Sequence, residues 1–124
     1  MINKYFEKIE RILSGFNDII LSQTIKKRFY NDTQGLISGE VEFFDESILS
    51  FLELKNTEQI NKKKYKYHYM NHKKTMIFRY DNSKHHFNIK SFPHHKHLPD
   101  KIESCDEPAL IDILLEIQDI LSSK

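Results

Sequence analysis

The segment from Arg79 to His97, RYDNSKHHFNIKSFPHHKH, contains five of the seven histidines, and His68 and His72 lie just upstream of it. Histidine changes its protonation state near neutral pH and can give or take a proton during catalysis. Arginine and lysine in the same segment can hold a phosphate group and its developing negative charge. These residue types favour metal-independent cleavage of RNA, in which the 2′-hydroxyl loses a proton and the leaving 5′-oxygen gains one.

The charge of the chain is unevenly distributed. The net charge of the 124 residues is +1, but residues 55–97 carry +9 and the remainder carries −8. A basic region of this kind favours a polyanionic partner. A solvated lysine-rich surface gives the same count, so charge alone does not separate a nuclease from a non-catalytic module that binds nucleic acid or a regulator.

A metal site is the alternative use of the histidines. His95 and His97 would point the same way on an extended segment, and His85, His86 or a carboxylate could complete a tetrahedral set. The sequence contains no HExxH spacing and no cysteine pair, since Cys105 is its single cysteine. We therefore expect acid–base chemistry without a metal or cofactor, with a histidine-liganded, metal-dependent nuclease as the alternative.

Two amphipathic helices flank a series of strands. Apolar residues recur at spacings of three and four from Ile2 to Phe16 and from Leu110 to Leu121. Between them, alternation predicts strands at Asp18–Tyr30, Leu36–Phe44, Ile48–Lys55, Lys64–Met70 and Thr75–Asp81, with short ones in Phe87–Ser91 and Lys101–Ser104. The expected fold is one α+β domain, an antiparallel meander of about five to six strands with an N-terminal and a C-terminal helix packed on one face.

The hairpin over residues 64–81 sorts side chains between two faces. With NHKK as its loop, the expected pairs are Met70–Thr75, His68–Ile77 and Lys66–Arg79. Alternation along the strands then separates a core face from an open face. The side chains expected in the core are Leu52, Leu54, Tyr65, Tyr67, Tyr69, Met76, Phe78 and Tyr80. This assignment places Glu53 on the open face with His68 and Arg79.

These placements predict a catalytic site. The residues expected to catalyse are Glu53, His68, Arg79, His95, Lys96 and His97. Arg79 would clamp the scissile phosphate, and Lys96 would add positive charge. His68 or Glu53 would be the general base, and His95 or His97 the general acid. The residues expected to orient these groups or to contact nucleic acid are Lys66, Lys84, His85, His86 and His94.

Several motifs together resemble the TumE family, the toxin half of TumA–TumE toxin–antitoxin pairs. They are YKYHYM at 65–70, FRYDN at 78–82, the pair His85–His86 and FPHHKH at 92–97. The resemblance extends more loosely to residues 35–54 and to EPALIDILLEI near the C-terminus. One departure is Lys84, which stands where the family pattern has a proline.

This resemblance implies a growth-inhibiting toxin, taken to be a ribonuclease, whose partners are RNA and a DNA-binding antitoxin of the TumA type.

The N-terminal stretch has no continuous apolar run, and no segment of the sequence is apolar enough to span a bilayer. We therefore expect a cytoplasmic protein without a membrane partner. Two oligomeric states are compatible with the sequence, a homodimer and a toxin–antitoxin hetero-oligomer.

Overall fold

The computed structural model describes residues 1–84 and 89–124. Its elements are α1 (Ile2–Ser14), β1 (Ile20–Phe29), β2 (Gln34–Phe43), β3 (Ile48–Asn56), β4 (Lys64–Met70), β5 (Met76–Asp81), β6 (His95–Leu98), β7 (Lys101–Ser104) and α2 (Leu110–Ser122). The strands form one open sheet in chain order, and every neighbouring pair is antiparallel. The predicted α+β meander with two terminal helices is therefore confirmed, with seven strands instead of five to six.

The strand that the sequence analysis missed is β6. Its four residues, HKHL, have little of the β-branched and aromatic content that marks a strand. Pairing with β5 on one side and β7 on the other holds it in the sheet. The strand predicted in Phe87–Ser91 is not found in the described part of the chain. Residues 89–91 have no strand structure, and Phe87 and Asn88 lie outside the described residues.

The helices and one face of the sheet enclose a single apolar core. Its buried side chains include Ile2, Phe6, Ile9 and Leu13 of α1, Leu110, Ile113, Leu114 and Ile117 of α2, and Ile37, Val41, Phe43, Leu49, Phe51, Tyr65, Tyr67, Tyr69 and Phe78 of the sheet. Tyr67 and Phe78, both predicted in the core, are 0% and 1% exposed. Neither helix of the described residues is long and apolar enough to cross a membrane.

The predicted pairs of the β4–β5 hairpin are wrong, but the predicted faces of the two strands are largely correct. The observed pairs are Lys66–Asp81, Tyr67–Tyr80, His68–Arg79, Tyr69–Phe78 and Met70–Met76. Along most of the hairpin the error is two residues, and a shift of two leaves every side chain on its face. A bulge between Tyr69 and Met70 makes Ile77 an extra residue on β5. The predicted partner of Met70 is therefore wrong by one residue instead of two.

The loop of this hairpin explains the observed register. The Asn71 side-chain oxygen accepts hydrogen bonds from the backbone N–H groups of Lys73 and Thr75, at 2.9 and 3.0 Å. Lys74 has a φ of 62°, in the left-handed region that few side chains adopt. The loop therefore covers residues 71–75, one residue more than the NHKK loop that the sequence suggested.

The predicted face of β3 is wrong. Glu53 pairs with Tyr65 and Phe51 pairs with Tyr67, so both side chains lie on the core face. Leu52 and Leu54 consequently lie on the face opposite to α1 and α2, which we call the open face. The sequence of β3 is apolar at both alternating sets of positions, so alternation does not distinguish its two faces. Glu53 is 0% exposed, where the Tyr5 and Tyr67 hydroxyls donate hydrogen bonds to its carboxylate.

We expect Phe78→Ala to lower the free energy of unfolding by about 3–5 kcal/mol, because it leaves a cavity between the sheet and the helices. Phe44→Ala is the matched control, since that ring is 61% exposed. Chemical denaturation of both variants measures the difference. A loss below about 1 kcal/mol for Phe78→Ala would contradict this description of the core.

Candidate functional site

The register of β4, β5 and β6 brings most of the predicted site onto the open face. One row across the strands contains Lys66, Asp81 and His95. The adjacent row contains His68, Arg79 and His97. We call these six residues the His–Arg cluster. Residues paired directly across antiparallel strands share a face, so all six side chains project from the open face.

Asp81 lies at the centre of the His–Arg cluster and is 5% exposed. Its Oδ1 accepts hydrogen bonds from the Ser83 backbone N–H at 3.1 Å and the Ser83 hydroxyl at 2.8 Å. Its Oδ2 accepts one from Arg79 Nε at 2.9 Å. Burial favours a raised pKa, but the Ser83 hydrogen bonds, the charge of His95 and the Arg79 contact outweigh it and lower the pKa of Asp81. Asp81 is therefore an ionised carboxylate at neutral pH.

His95 is held rigidly beside this carboxylate and is 1% exposed. Its Nδ1–H donates to the Pro93 carbonyl oxygen at 2.9 Å. Its Nε2 lies 2.7 Å from Asp81 Oδ1. Both ring nitrogens face oxygen atoms, and the ring packs against His97 with a centroid separation of 4.7 Å. A ring so enclosed fixes the position of its neighbours and is poorly placed to touch a bound substrate.

Arg79 and His97 form the more accessible side of the cluster. Arg79 Nη2 donates to His97 Nε2 at 3.2 Å, so that nitrogen accepts and the ring proton lies on Nδ1. His97 Nε2 also lies 3.5 Å from Asp81 Oδ2. The Arg79 side chain is 34% exposed. Its guanidinium has five N–H donors in a planar fork, so it can still meet an incoming phosphate.

His68 lies on the other side of Arg79 from His97, one strand away. Partial burial, the positive charge of Arg79 and the charge of Lys66 together lower the pKa of His68. A lowered pKa means that the imidazole is neutral at pH 7. A neutral imidazole beside two cations is able to accept a proton.

A divalent cation is the main alternative occupant of this site. Asp81, His95 and His97 each offer one ligand atom, and these atoms lie within 4.8 Å of one another. Two histidines and one carboxylate are a donor set that transition metals use. The same carboxylate already accepts a hydrogen bond from Arg79, whose positive charge opposes a cation there. The donor set fits a metal, but its electrostatic surroundings do not favour one.

Three residues predicted in the site lie away from the cluster. Glu53 was predicted on the open face and is buried in the core. Lys96 lies between His95 and His97 on β6, so alternation sends it to the helix side. There its Nζ bonds Glu116 of α2 at 2.8 Å. His94 stacks on Tyr65, with a ring separation of 5.8 Å, and its Nδ1 lies 2.9 Å from the tyrosine hydroxyl.

The predicted nucleic-acid contacts are only partly described. Lys66 and Lys84 are exposed, Lys66 within the cluster and Lys84 in the turn that follows β5. His85 and His86 lie outside the described residues. Asp81 belongs to the cluster, although the sequence analysis did not include it among the expected site residues. Its spacing of two from Arg79 on a strand was the available signal, because such residues share a face.

In an NMR titration we expect the imidazole of His68 to titrate below the ordinary value of ~6.5. Arg79→Gln should raise this pKa part of the way, because burial remains as the largest cause of the shift. Lys66→Gln should raise it less, and Lys73→Gln in the hairpin loop should leave it unchanged. A wild-type His68 pKa at or above ~6.5 would contradict the neutral imidazole inferred above.

Comparison with known proteins identifies the family of the chain. The family model described as Toxin TumE matches residues 8–121, nearly the whole chain. No curated protein and no solved structure gives a significant match. The family also implies a cognate antitoxin as partner. The chain therefore belongs to the TumE toxin family, the toxin components of toxin–antitoxin systems.

Proposed function

We propose that this toxin inhibits growth as a metal-independent endoribonuclease that acts in the cytoplasm and uses the His–Arg cluster. The observation that carries the proposal is the row His68–Arg79–His97 on the open face. Arg79 stands in the middle, and the two histidines lie about 10 Å apart, two strand spacings of about 4.8 Å. A phosphate held by Arg79 would have one imidazole on each side. In-line displacement at phosphorus needs a base and an acid in that arrangement.

In the proposed reaction His68 removes the proton from the 2′-hydroxyl, and the 2′-oxygen attacks phosphorus. The bond from phosphorus to the 5′-oxygen breaks, and protonated His97 gives that oxygen a proton. The products are a 2′,3′-cyclic phosphate and a 5′-hydroxyl. His68 suits the role of base because its lowered pKa keeps it neutral. One base and one acid predict a bell-shaped dependence of the rate on pH.

Arg79 is the proposed clamp on the phosphate and on the charge that develops during the attack. Its Nε bond to Asp81 fixes one edge of the guanidinium. When a phosphate draws Nη2 away from His97, the Nε2 of that ring becomes able to hold a proton. Asp81 Oδ2, 3.5 Å away, stabilises this protonated ring. The clamp and the acid are thus coupled through one carboxylate.

His95 and Asp81 are positioning residues in this proposal, and Lys66 supplies positive charge beside the phosphate. Asp81 is a better candidate than Glu53 for the carboxylate of the site, because Glu53 lies across the sheet in the core. The same reasoning removes Lys96 from the chemistry, since its ammonium bonds Glu116 on the helix side. Roles for His85 and His86 lie outside the described residues.

We expect purified chain to cleave RNA in EDTA. His97→Ala should slow cleavage by about 10²–10⁴-fold, the contribution typical of a positioned acid or base. Arg79→Ala should slow it by about 10²–10³-fold, typical of the loss of a group that stabilises charge in the transition state. The matched control is Lys96→Gln, one residue from His97 but on the opposite face, which should cleave at nearly the wild-type rate. Activity abolished by EDTA and restored by zinc or manganese would favour the metal-dependent nuclease. Equal losses of cleavage rate in Lys96→Gln and Arg79→Ala would show that the chemistry does not take place on the open face.

The non-catalytic binding module is the other alternative, and expression in cells distinguishes it. A soluble chain that causes no growth defect when expressed alone would favour a module that binds nucleic acid or a regulator. The open face favours the enzyme instead, because the buried Asp81 carboxylate holds Arg79 and His95 in fixed positions. Catalysis needs positioned groups of this kind.

We also propose that the cognate antitoxin, a DNA-binding protein of the TumA type, inhibits the toxin by covering the open face in a toxin–antitoxin hetero-oligomer. In the described part of the chain no helix lies over this face, while α1 and α2 pack against the opposite face. Its lysines and Arg79 would attract an acidic segment of the antitoxin as well as RNA.

The antitoxin should therefore protect RNA by competition. We expect the affinity for the antitoxin to fall as salt is raised, because contacts with exposed cations are screened. Lys66→Gln should weaken binding of both antitoxin and RNA, whereas Lys8→Gln on the exposed side of α1 should weaken neither. Titration of labelled RNA against antitoxin measures the competition. A stable complex of toxin, antitoxin and uncut RNA would contradict the shared surface.

A further inference from the structure

A groove on the open face runs from the His–Arg cluster towards β1. Its volume is about 300 Å³, and it crosses β1, β2, β3 and β4. A second cavity of about 280 Å³ contains Arg79 and Asp81. The two cavities share Leu52 and Lys66, so the groove opens directly onto the cluster. A surface continuous with the site and of this size can take part of a chain substrate.

We propose that this groove binds the nucleotide on the 5′ side of the scissile phosphate, the one whose 2′-hydroxyl attacks. The inference rests on the proposed ribonuclease function and on His68 as its base. His68 stands on the β4 side of Arg79, and the groove lies on that same side. The leaving nucleotide would then extend the other way, past His97 towards β7.

Two cations mark the path of the backbone along the groove. Lys66 lies in the row of Asp81, and Lys26 of β1 lies at the far end of that row, beyond Leu52 and Ser38. Three strand spacings separate the two lysines, about 14 Å. Exposed lysines at both ends of a groove can hold successive phosphates of a single strand. Lys26 lies outside residues 55–97, the basic region of the sequence, and the register of the sheet brings it to the groove.

The floor of the groove suits a base. Leu52 is half-buried and offers an apolar surface, and the small side chains of Ser38 and Ser50 leave room beside it. Glu40, paired with Ser50, lines the same groove and presents a carboxylate. A carboxylate accepts hydrogen bonds from the exocyclic amino group of a base and repels the carbonyl oxygens of uracil. The base must be unpaired to offer that edge, so the substrate is single-stranded.

Binding of a non-cleavable RNA tests the groove independently of the chemistry. The probe is a short single-stranded RNA with 2′-O-methyl groups, titrated into full-length protein at several salt concentrations. Lys26→Gln should weaken binding and lower the salt dependence of log Kd by about 0.7, the value for one lost contact with a single strand. The matched control is Lys27→Gln, because Lys27 lies on the other face and bonds Glu10. Equal effects of the two substitutions would overturn the proposal.

Cleavage products test the base preference. Wild-type protein should cut after a nucleotide with an exocyclic amino group several-fold faster than after uridine. Glu40→Gln should reduce this ratio, because the amide also donates to the uracil oxygens. Glu42→Gln is the control, since Glu42 contacts Ser22 on the same face but outside the groove. A wild-type preference for uridine, or an unchanged ratio in Glu40→Gln, would overturn the assignment.

Failure of the proposed function gives a different result. Binding that depends on Lys26 but not on Lys27, without any cleavage, would support the groove and contradict the ribonuclease. Cleavage that is intact in wild type, Lys26→Gln and Glu40→Gln alike, with binding also unchanged, would support the ribonuclease and contradict the groove.

Discussion

The buried carboxylate of Asp81 is the interaction on which the open face depends. It lies between Arg79, His95 and His97, with Ser83 hydrogen-bonded to its Oδ1. Removing the negative charge would leave Arg79 Nε and His95 Nε2 without the carboxylate that lies 2.9 Å from one and 2.7 Å from the other. The pKa of Asp81 is lowered, because its partners outweigh the effect of burial. Asp81 therefore links Arg79 and the two histidines in one arrangement.

The sheet separates structural polar groups from those available for chemistry. Glu53 and Lys96 have ionisable side chains that the sequence analysis assigned to the site, yet both face the helices. Glu53 accepts hydrogen bonds from two tyrosine hydroxyls, and Lys96 bonds Glu116 while lying 4.9 Å from the ring centre of Tyr80. These contacts satisfy the two polar side chains and connect the helices to the sheet. The face of a strand, more than the type of residue, therefore decides the role.

Strict alternation of apolar and polar residues predicts the two faces of a strand correctly. Residues 65–69 alternate strictly, so His68 was placed on the open face even though its predicted partner was wrong. In β3 both sets of alternating positions are apolar, and Glu53 was placed on the wrong face. The spacing of Asp81 from Arg79 indicated that the two share a face. The contacts of Asp81 with His95 and His97 were not predictable, because they depend on β6, a strand of weak intrinsic propensity that its neighbours hold in the sheet. Alternation within one strand indicates which face each side chain lies on. The His–Arg cluster itself arises from the pairing of β4, β5 and β6.

The most direct test of the account is the end group that cleavage leaves on RNA. If His68 activates the 2′-hydroxyl of the substrate, no metal-bound water takes part in the attack. We then expect a 2′,3′-cyclic phosphate on the upstream product, a 5′-hydroxyl on the downstream product, and no cut where a single 2′-deoxynucleotide replaces the attacking one. Products with a 3′-hydroxyl and a 5′-phosphate, or a cut at the deoxy position, would contradict it.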